Sequence, residues 1–389
     1  MSQQSLHSAS SISVIGGSLV GPLLSLLLKQ GGFSNVHIYE ATPEAVPQAG
    51  GIIGLDVASL DVLEALGIEQ HEFIPFASER VVSIKILDRR ELGRVHTIYP
   101  GRNTTWTLLH QALLSRLPAG SFHAGKRLVG LAEGDDGRAI LQFADGEQVT
   151  SDFVAFADGR RSAGRKLLDP ARSLRYAGYI AARGQFECDP QDVRDFTRYE
   201  PEGLGQFNLF PISLTHGRIG LDWTLYLNAG PDRYRAWFGA APTLRTFVLP
   251  HQWSRQARET IDHHAEAILP APVAALVHGT HARMAAPVVE IDAPSRMVYP
   301  VGSRHAVLIG DALAPVRPHT AKGLNLGILE AASLAQVFRQ HRKYGLSLDA
   351  ALFGWQERHL PQVEAALALG PHLAHRLGLG TPEASRPLS

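Results

Sequence analysis

The apolar positions of this chain change rhythm repeatedly, and each change predicts an element. Ile12 to Ile15 is a short β-branched run of the kind buried in parallel sheets. From Leu19 the spacing turns helical through Leu23, Leu24, Leu27 and Leu28, and Gly31-Gly32 stops it. Asn35 to Ala41 reads as a second strand, so the opening stretch predicts a βαβ unit. Leu60, Leu63 and Leu66 share one side of a helix over Ala58 to Leu66, ended by Gly67. Arg80 to Arg90 alternates like a strand, and Trp106 to Leu117 has helical spacing up to Pro118. Ala139 to Gly159 predicts a hairpin turning at Asp145-Gly146, followed by one more apolar strand.

From Arg175 to about Leu227 strand patterns dominate and aromatic residues become more frequent, marking a separate β-rich layer. Helical spacing returns over Pro242 to Leu276. His305 to Ala312 is a buried strand ending in Gly-Asp, and Ala321 to Phe338 predicts a helix. The tail after Gly380 is expected to fray.

At 389 residues the chain is long for one core and predicts two domains. Lys plus Arg and Asp plus Glu number 37 each, so no net field points to nucleic acid or an anionic membrane. The 18 histidines are scattered, and no Cys/His spacing predicts a metal site. Cys188 is the only cysteine, which excludes an internal disulfide and fits a reducing compartment. The N-terminus lacks a signal-peptide pattern, and the greasiest run, Leu23 to Leu28, is far short of the roughly 20 residues a membrane span needs. The expectation is a cytoplasmic protein.

Three motifs carry candidate chemistry. In the first, Ser11 to Gly21 (SISVIGGSLVG), a strand feeds a helix through a glycine turn, so unpaired helix N–H groups face whatever lies there. Gly16 serves the turn and Gly21 permits close packing, with Gly17, Ser18, Leu19 and Val20 between them. Ser18 stands where the G-x-G-x-x-G pattern has its central glycine, and a small hydroxyl can still sit beside a phosphate. Glu40 ends the next strand, where a carboxylate about 20 residues on accepts hydrogen bonds from ribose hydroxyls. On this motif alone a ligand-free turn and an NAD-dependent dehydrogenase both stay open.

The second motif, Asp152 to Leu168, breaks an apolar strand at Asp158-Gly159 and opens a helix with Ser162 and Arg165, an arginine placed to face an anion. The third, Val307 to Ala331, delivers Gly310-Asp311 to the carboxyl end of a buried strand, where open α/β sheets bind ligands. Asp311 can bind a sugar hydroxyl. Gly323, early in the following helix, marks a close approach, and the N–H groups there would stabilise negative charge.

Taken together, the order and spacing of these motifs resemble the class A, single-component flavoprotein aromatic hydroxylases, from Ile12 to about Phe338. RLVGLAEGDDG (Arg127 to Gly137), YAGYIAARG (Tyr176 to Gly184) and RPHTA (Arg317 to Ala321) are similar to segments of its hydroxypyridine-hydroxylating members. The resemblance implies a mixed α/β fold: a Rossmann-like FAD-binding domain with an inserted β-sheet substrate domain and C-terminal helices. The implied boundaries are 10–80, 101–174 and 284–340 for FAD, 81–100 and 175–283 for substrate, and 341–389 for the helical segment. FAD is the implied resident cofactor, with the first motif and Leu128-Val129 on its ADP part. Asp158-Gly159 is associated with both FAD and NAD(P)H. Gly310-Asp311 and Pro318 hold the riboflavin, and Ala321, Gly323, Leu324 and Asn325 lie at the flavin pyrimidine edge.

The implied partners are transient NADH or NADPH, dioxygen, a small aromatic substrate and a second copy in a homodimer. In the family, reduced flavin takes up dioxygen as a hydroperoxide whose distal oxygen an electron-rich ring attacks. His319 is the candidate base that takes the substrate's proton. Arg183, Asn208, Trp223 and Tyr226 are candidates to line the substrate pocket together with His319. Three departures stand out: Trp106 replaces a common arginine, Ala314 a common histidine, and Ala182 a tryptophan, the last expected to enlarge a pocket. A reductase or tailoring oxidase of the same fold, and a non-catalytic flavin binder, remain open.

Overall fold

The computed structural model of the protein describes residues 6–43, 51–189, 193–214 and 218–380. The tail read above as frayed lies outside the described residues. The chain begins with β1 (Ile12–Ile15), α1 (Val20–Gln30), β2 (Val36–Tyr39), β3 (Ile52–Leu55), α2 (Val57–Ala65) and α3 (Gln70–Phe73). A hairpin, β4 (Arg80–Leu87) and β5 (Arg90–Ile98), precedes β6 (Arg102–Thr105) and α4 (Trp106–Leu114). Next come β7 (Phe122–His123), β8 (Leu128–Glu133), β9 (Ala139–Phe143), β10 (Gln148–Ser151), β11 (Phe153–Phe156) and α5 (Ala163–Leu168). The strand-rich stretch comprises β12 (Arg175–Glu187), β13 (Phe196–Pro201), β14 (Gln206–Ser213) and β15 (Ile219–Asn228). Then follow α6 (Pro231–Phe238), α7 (Arg255–Ile268), α8 (Ala271–His278) and β16 (Arg283–Glu290). The chain closes with β17 (Val298–Val301), β18 (Arg304–Leu308), α9 (Gly323–Tyr344) and α10 (Leu348–Arg376).

Among the described residues, one sheet has six strands in the order β17-β18-β11-β1-β2-β7, parallel except for the β17 edge. All four residues of β1 and of β11 are buried, as expected of parallel strands covered on both faces. Ile12 lies opposite both Phe153 and Val36, so the ends of β1, β11 and β2 align and place their outgoing loops side by side. A second sheet has seven strands in the order β16-β12-β15-β14-β13-β4-β5. On one of its faces Ile180, Ala182, Phe207, Trp223 and Leu225 pack against α6, α7 and α8. Its other face turns toward the outgoing loops of the first sheet, and α10 covers part of it through Ala374.

The structure moves several expected boundaries. Residues 284–290, assigned to the nucleotide-binding part, form β16 and pair with β12 in the seven-stranded sheet. The alternating run ends at Leu87, because Asp88 and Arg89 both take positive φ (46° and 63°) and close a two-residue hairpin without glycine. The helix expected from Pro242 is not there: two short 3-10 turns lead to α7 at Arg255, leaving Thr246 and Phe247 on a loop. Prolines at 242 and 250 explain this, since each fixes a turn and lacks an N–H. α9 starts two residues later than expected, after Ala321 in a left-handed conformation (φ 54°), and runs on to Tyr344.

Candidate active site

The loops of the six-stranded sheet and the inner face of the seven-stranded sheet enclose a cavity of about 420 Å³. Ser18, Leu19 and Val20 line one end, Asp311, Gly323 and Leu324 the middle, and Arg183, Ala181 and Phe247 the far side. The three sequence motifs therefore converge on one space.

At the first end the backbone does the shaping. Gly16 has φ 109°, and a Cβ there would strike the Ala157 carbonyl; one on Gly21 would strike the Gly16 carbonyl. Only glycine permits this approach of helix to strand. α1 has no side-chain cap and no acidic residue in its first turn, which leaves its N–H groups for an anion. Glu40 accepts from Gly17 N at 2.7 Å and from Thr42 N at 2.7 Å, fixing its carboxylate beside the turn. Lys126 N donates to Glu40 O at 2.7 Å and brings the start of β8 alongside. Leu128 is buried and Val129 exposed, and neither lines the cavity. The two departures from the pattern meet here: Trp106 Nε1 donates to Ser18 Oγ at 3.0 Å. Trp106 also stacks on His110 at 4.2 Å between ring centroids, and His110 Nε2 lies 2.9 Å from Gly17 O.

In the middle, Asp311 is exposed to the cavity, and partial desolvation by the surrounding atoms pushes its carboxyl above the ordinary range; the nearby Arg160 and Arg165 oppose this. A Cβ on Gly323 would lie 3.3 Å from Asp311 Oδ1, so the carboxylate sits against the start of α9. That helix start has neither a side-chain cap nor an acidic residue. Asn325 turns its side chain away from the cavity, bonding Gly54 O, Ala321 O, Asp56 N and Ser59 Oγ, and so ties α9 to β3 and α2. Only its backbone remains for a ligand. Gly310 N donates to buried Glu330 at 2.6 Å, and desolvation raises the Glu330 carboxyl to about 8. Pro318 lines the cavity, whereas Ala314, at the histidine position, is buried.

Arg165 does not face an anion. It is 2% exposed and donates to Asp311 O at 3.1 Å and Ala312 O at 2.7 Å, so it fastens the second motif to the third. Asp158 accepts from Ala163 N at 2.6 Å and Gly164 N at 3.3 Å, capping α5; its Oδ1 has no partner, and Gly159 lines the cavity.

The strand residues separate by face. Trp223 lies on the helix-covered side, fully buried, with Nε1 donating to Thr280 Oγ1 at 2.9 Å. Ala182 sits on that same side, so it enlarges no cavity. Register explains both, because Arg183 and Asn208 pair with Thr224, while Gly184 and Leu209 pair with Trp223. Arg183, Asn208, Thr224 and Tyr226 thus share the inner face with Asp222. Asp222 is 3% exposed, and its carboxylate has one long hydrogen bond, from Gln185 Nε2 at 3.4 Å. Desolvation raises its pKa to about 6 against the pull of Arg183. Asp222 escaped the sequence reading, although an aspartate inside the apolar run RIGLDWTLYLN was its signal.

His319 stands behind the cavity wall. Its Nε2 lies 3.1 Å from Gly370 O on α10 and its Nδ1 3.4 Å from the Tyr179 hydroxyl, with Tyr226 edge-on to the ring. Burial lowers its pKa to about 4, with Arg317 and Arg198 adding to the effect. Both ring nitrogens are engaged, and His319 does not line the cavity.

The chain matches the family described as the FAD binding domain over residues 9–343 and belongs to it. FAD is its cofactor, and the glycine turn, the two uncapped helix starts and the cavity-facing Asp311 fit that molecule. It is similar to the 2,6-dihydroxypyridine 3-monooxygenase of Paenarthrobacter nicotinovorans, 28% identical over 95% of this chain and 92% of that one. The 6-hydroxynicotinate 3-monooxygenase of Bordetella bronchiseptica is 28% identical over 88% of this chain and 85% of its own length. The solved structure of 2,6-dihydroxypyridine-3-hydroxylase from Arthrobacter nicotinovorans superposes with a TM-score of 0.83 at 25% identity, covering 96% and 93% of the two chains.

Proposed function

We propose that this FAD-dependent monooxygenase hydroxylates an electron-rich N-heteroaromatic ring of the hydroxypyridine type, with NADH or NADPH as reductant and dioxygen as oxidant. The observation that carries the reading is one cavity that runs from the phosphate-type turn at Ser18, past Asp311 and the start of α9, to Arg183 on the inner sheet face. FAD supplies the redox chemistry when bound, as cofactors do for reactions beyond side-chain chemistry. The protein's own groups supply position and field. The α1 start with Ser18 would hold the pyrophosphate and Glu40 a ribose. Asp311 would hold a hydroxyl of the ribityl chain. The N–H groups of Leu324 and Asn325 at the α9 start would stabilise negative charge at the ring's pyrimidine edge. Pro315, Val316 and Pro318 line the cavity between these groups and keep water from the reacting centre.

The test is direct. The purified protein should show a flavin spectrum, and hydroxypyridines should stimulate NAD(P)H oxidation and oxygen uptake. A colourless protein that refuses added FAD, or a flavoprotein that no ring stimulates, would overturn the reading.

A further inference from the structure

Most of the cavity wall belongs to strands, helix starts or the turns beside them, but Thr246 and Phe247 lie on the loop between α6 and α7. Among the described residues, the N–H groups of Arg245, Thr246 and Phe247 find no backbone acceptor. The carbonyls of the same stretch are taken from across the cavity. Arg160, on the loop after β11, donates to Arg245 O at 3.4 Å and to Thr246 O, and its neighbour Arg161 donates to Leu244 O. Arg160 also donates to Pro287 O on β16 at 3.1 Å, and its guanidinium lies 5.7 Å from the centre of the Phe247 ring.

Two adjacent arginines therefore hold one stretch of backbone over the cavity. Beyond that stretch the chain is pinned. Val248 is buried and exchanges backbone hydrogen bonds with Ala285 at 2.7 and 3.1 Å. Arg245 reaches back to Phe238 O at 3.1 Å, on the loop's own side. Pro242 and Pro250 each open a 3-10 turn and stiffen the two flanks. What lies between packs loosely, with Leu244 59% and Phe247 38% exposed. Phe247 lines the cavity and also meets solvent, so it stands at the boundary between them. A segment with few buried contacts and few backbone hydrogen bonds opens locally at low free-energy cost. Releasing three carbonyls from two side chains breaks no strand pairing in either sheet.

We propose that residues 244–247 form a gate through which small molecules reach the flavin, with Phe247 as its moving face and Arg160 and Arg161 as the positioning residues that latch it. Arginine suits a latch. Its planar fork reaches several carbonyls at once, and those bonds exchange for water when the loop lifts. The gate goes beyond the hydroxylase reading, because any reaction at the bound flavin uses the same entry.

The test uses the FAD-loaded protein and two measurements: iodide quenching of flavin fluorescence for access, and hydrogen exchange for opening. Arg161→Ala removes one latch bond outside the cavity lining. It should raise both the quenching rate and the exchange at residues 243–248 about 5-fold, the scale of one hydrogen bond. Losing a positive charge would by itself slow an anion, so a rise in quenching reads opening. Arg161→Lys keeps a donor for the single carbonyl and should restore the wild-type rates. Arg160→Lys keeps the charge near Asp311 but cannot span its several carbonyls, so it should open the gate as Arg161→Ala does. Exchange in β12 and β16 should match the wild type in all three variants. Unchanged quenching in Arg161→Ala and Arg160→Lys would overturn the gate, and so would faster exchange spread through both sheets, which marks a merely structural role. Neither measurement needs a ring substrate, so failure of the hydroxylase reading would leave the gate to be decided on iodide alone.

Discussion

The two ends of the cavity are built from different material. At the Ser18 end the wall is backbone: a glycine turn, a helix start and main-chain N–H groups, with Glu40 pinned by two of them. At the sheet end it is side chain: Phe247 on its loop, and Arg183 with Ala181 on a strand whose other face is a solid apolar core. A backbone wall tolerates almost no change in residue but takes any molecule carrying the same phosphates. A side-chain wall can be rewritten one residue at a time while the strands stay put. That contrast explains how one cofactor site can serve many ring substrates.

The largest blow to the backbone end is Gly21→Val. The added side chain has no room beside the Gly16 carbonyl, so the variant should lose bound flavin and about 3 kcal/mol of stability. Flavin content and denaturant unfolding check both. Next is Arg165→Leu, which removes donors to Asp311 O and Ala312 O and leaves those carbonyls buried. It should cost about 2 kcal/mol in unfolding and weaken FAD binding, although it touches neither end of the cavity directly. An unchanged unfolding midpoint would show that the two motifs hold together without it.

Smaller changes sharpen the comparison. Trp106→Phe keeps a ring over His110 but deletes the bond to Ser18, for an expected loss of about 1 kcal/mol in FAD affinity by titration. Trp106→Phe combined with Ser18→Gly should cost little more than either alone, because both remove one interaction. Glu330→Gln keeps an acceptor for Gly310 N and removes a titration. The folded carboxyl stays protonated to about pH 8, whereas the unfolded one ionises near its ordinary 4.5. Wild-type stability should therefore fall as pH rises from the lower to the higher value, and the variant should not share that part of the fall. His319→Gln should do least. With its imidazole neutral and tied to Gly370 and Tyr179, the pH–rate profile should keep its shape. Loss of the acid limb would reinstate His319 as the base.

The same contrast governs what the sequence could reveal. Gly16, Gly21 and Gly310 were legible because close approach and positive φ demand glycine, and a demand on backbone leaves a fixed mark. The β15 strand hid its facing because eight of its ten residues are buried, so no alternation separated Trp223 from Asp222. Only the pairing with β12 and β14 resolved it. Arg165 was legible as a site residue but not as a staple, since the carbonyls it holds are about 146 positions away. Ser18 and Trp106 looked like separate departures until the fold set them 3.0 Å apart.

One measurement bears most directly on the whole account: simultaneous accounting of NAD(P)H oxidised, dioxygen consumed and ring product formed by the FAD-loaded protein with 2,6-dihydroxypyridine. The account predicts equal amounts of all three and a product carrying one added oxygen atom. NAD(P)H oxidation that yields only hydrogen peroxide, with the ring recovered unchanged, would contradict it.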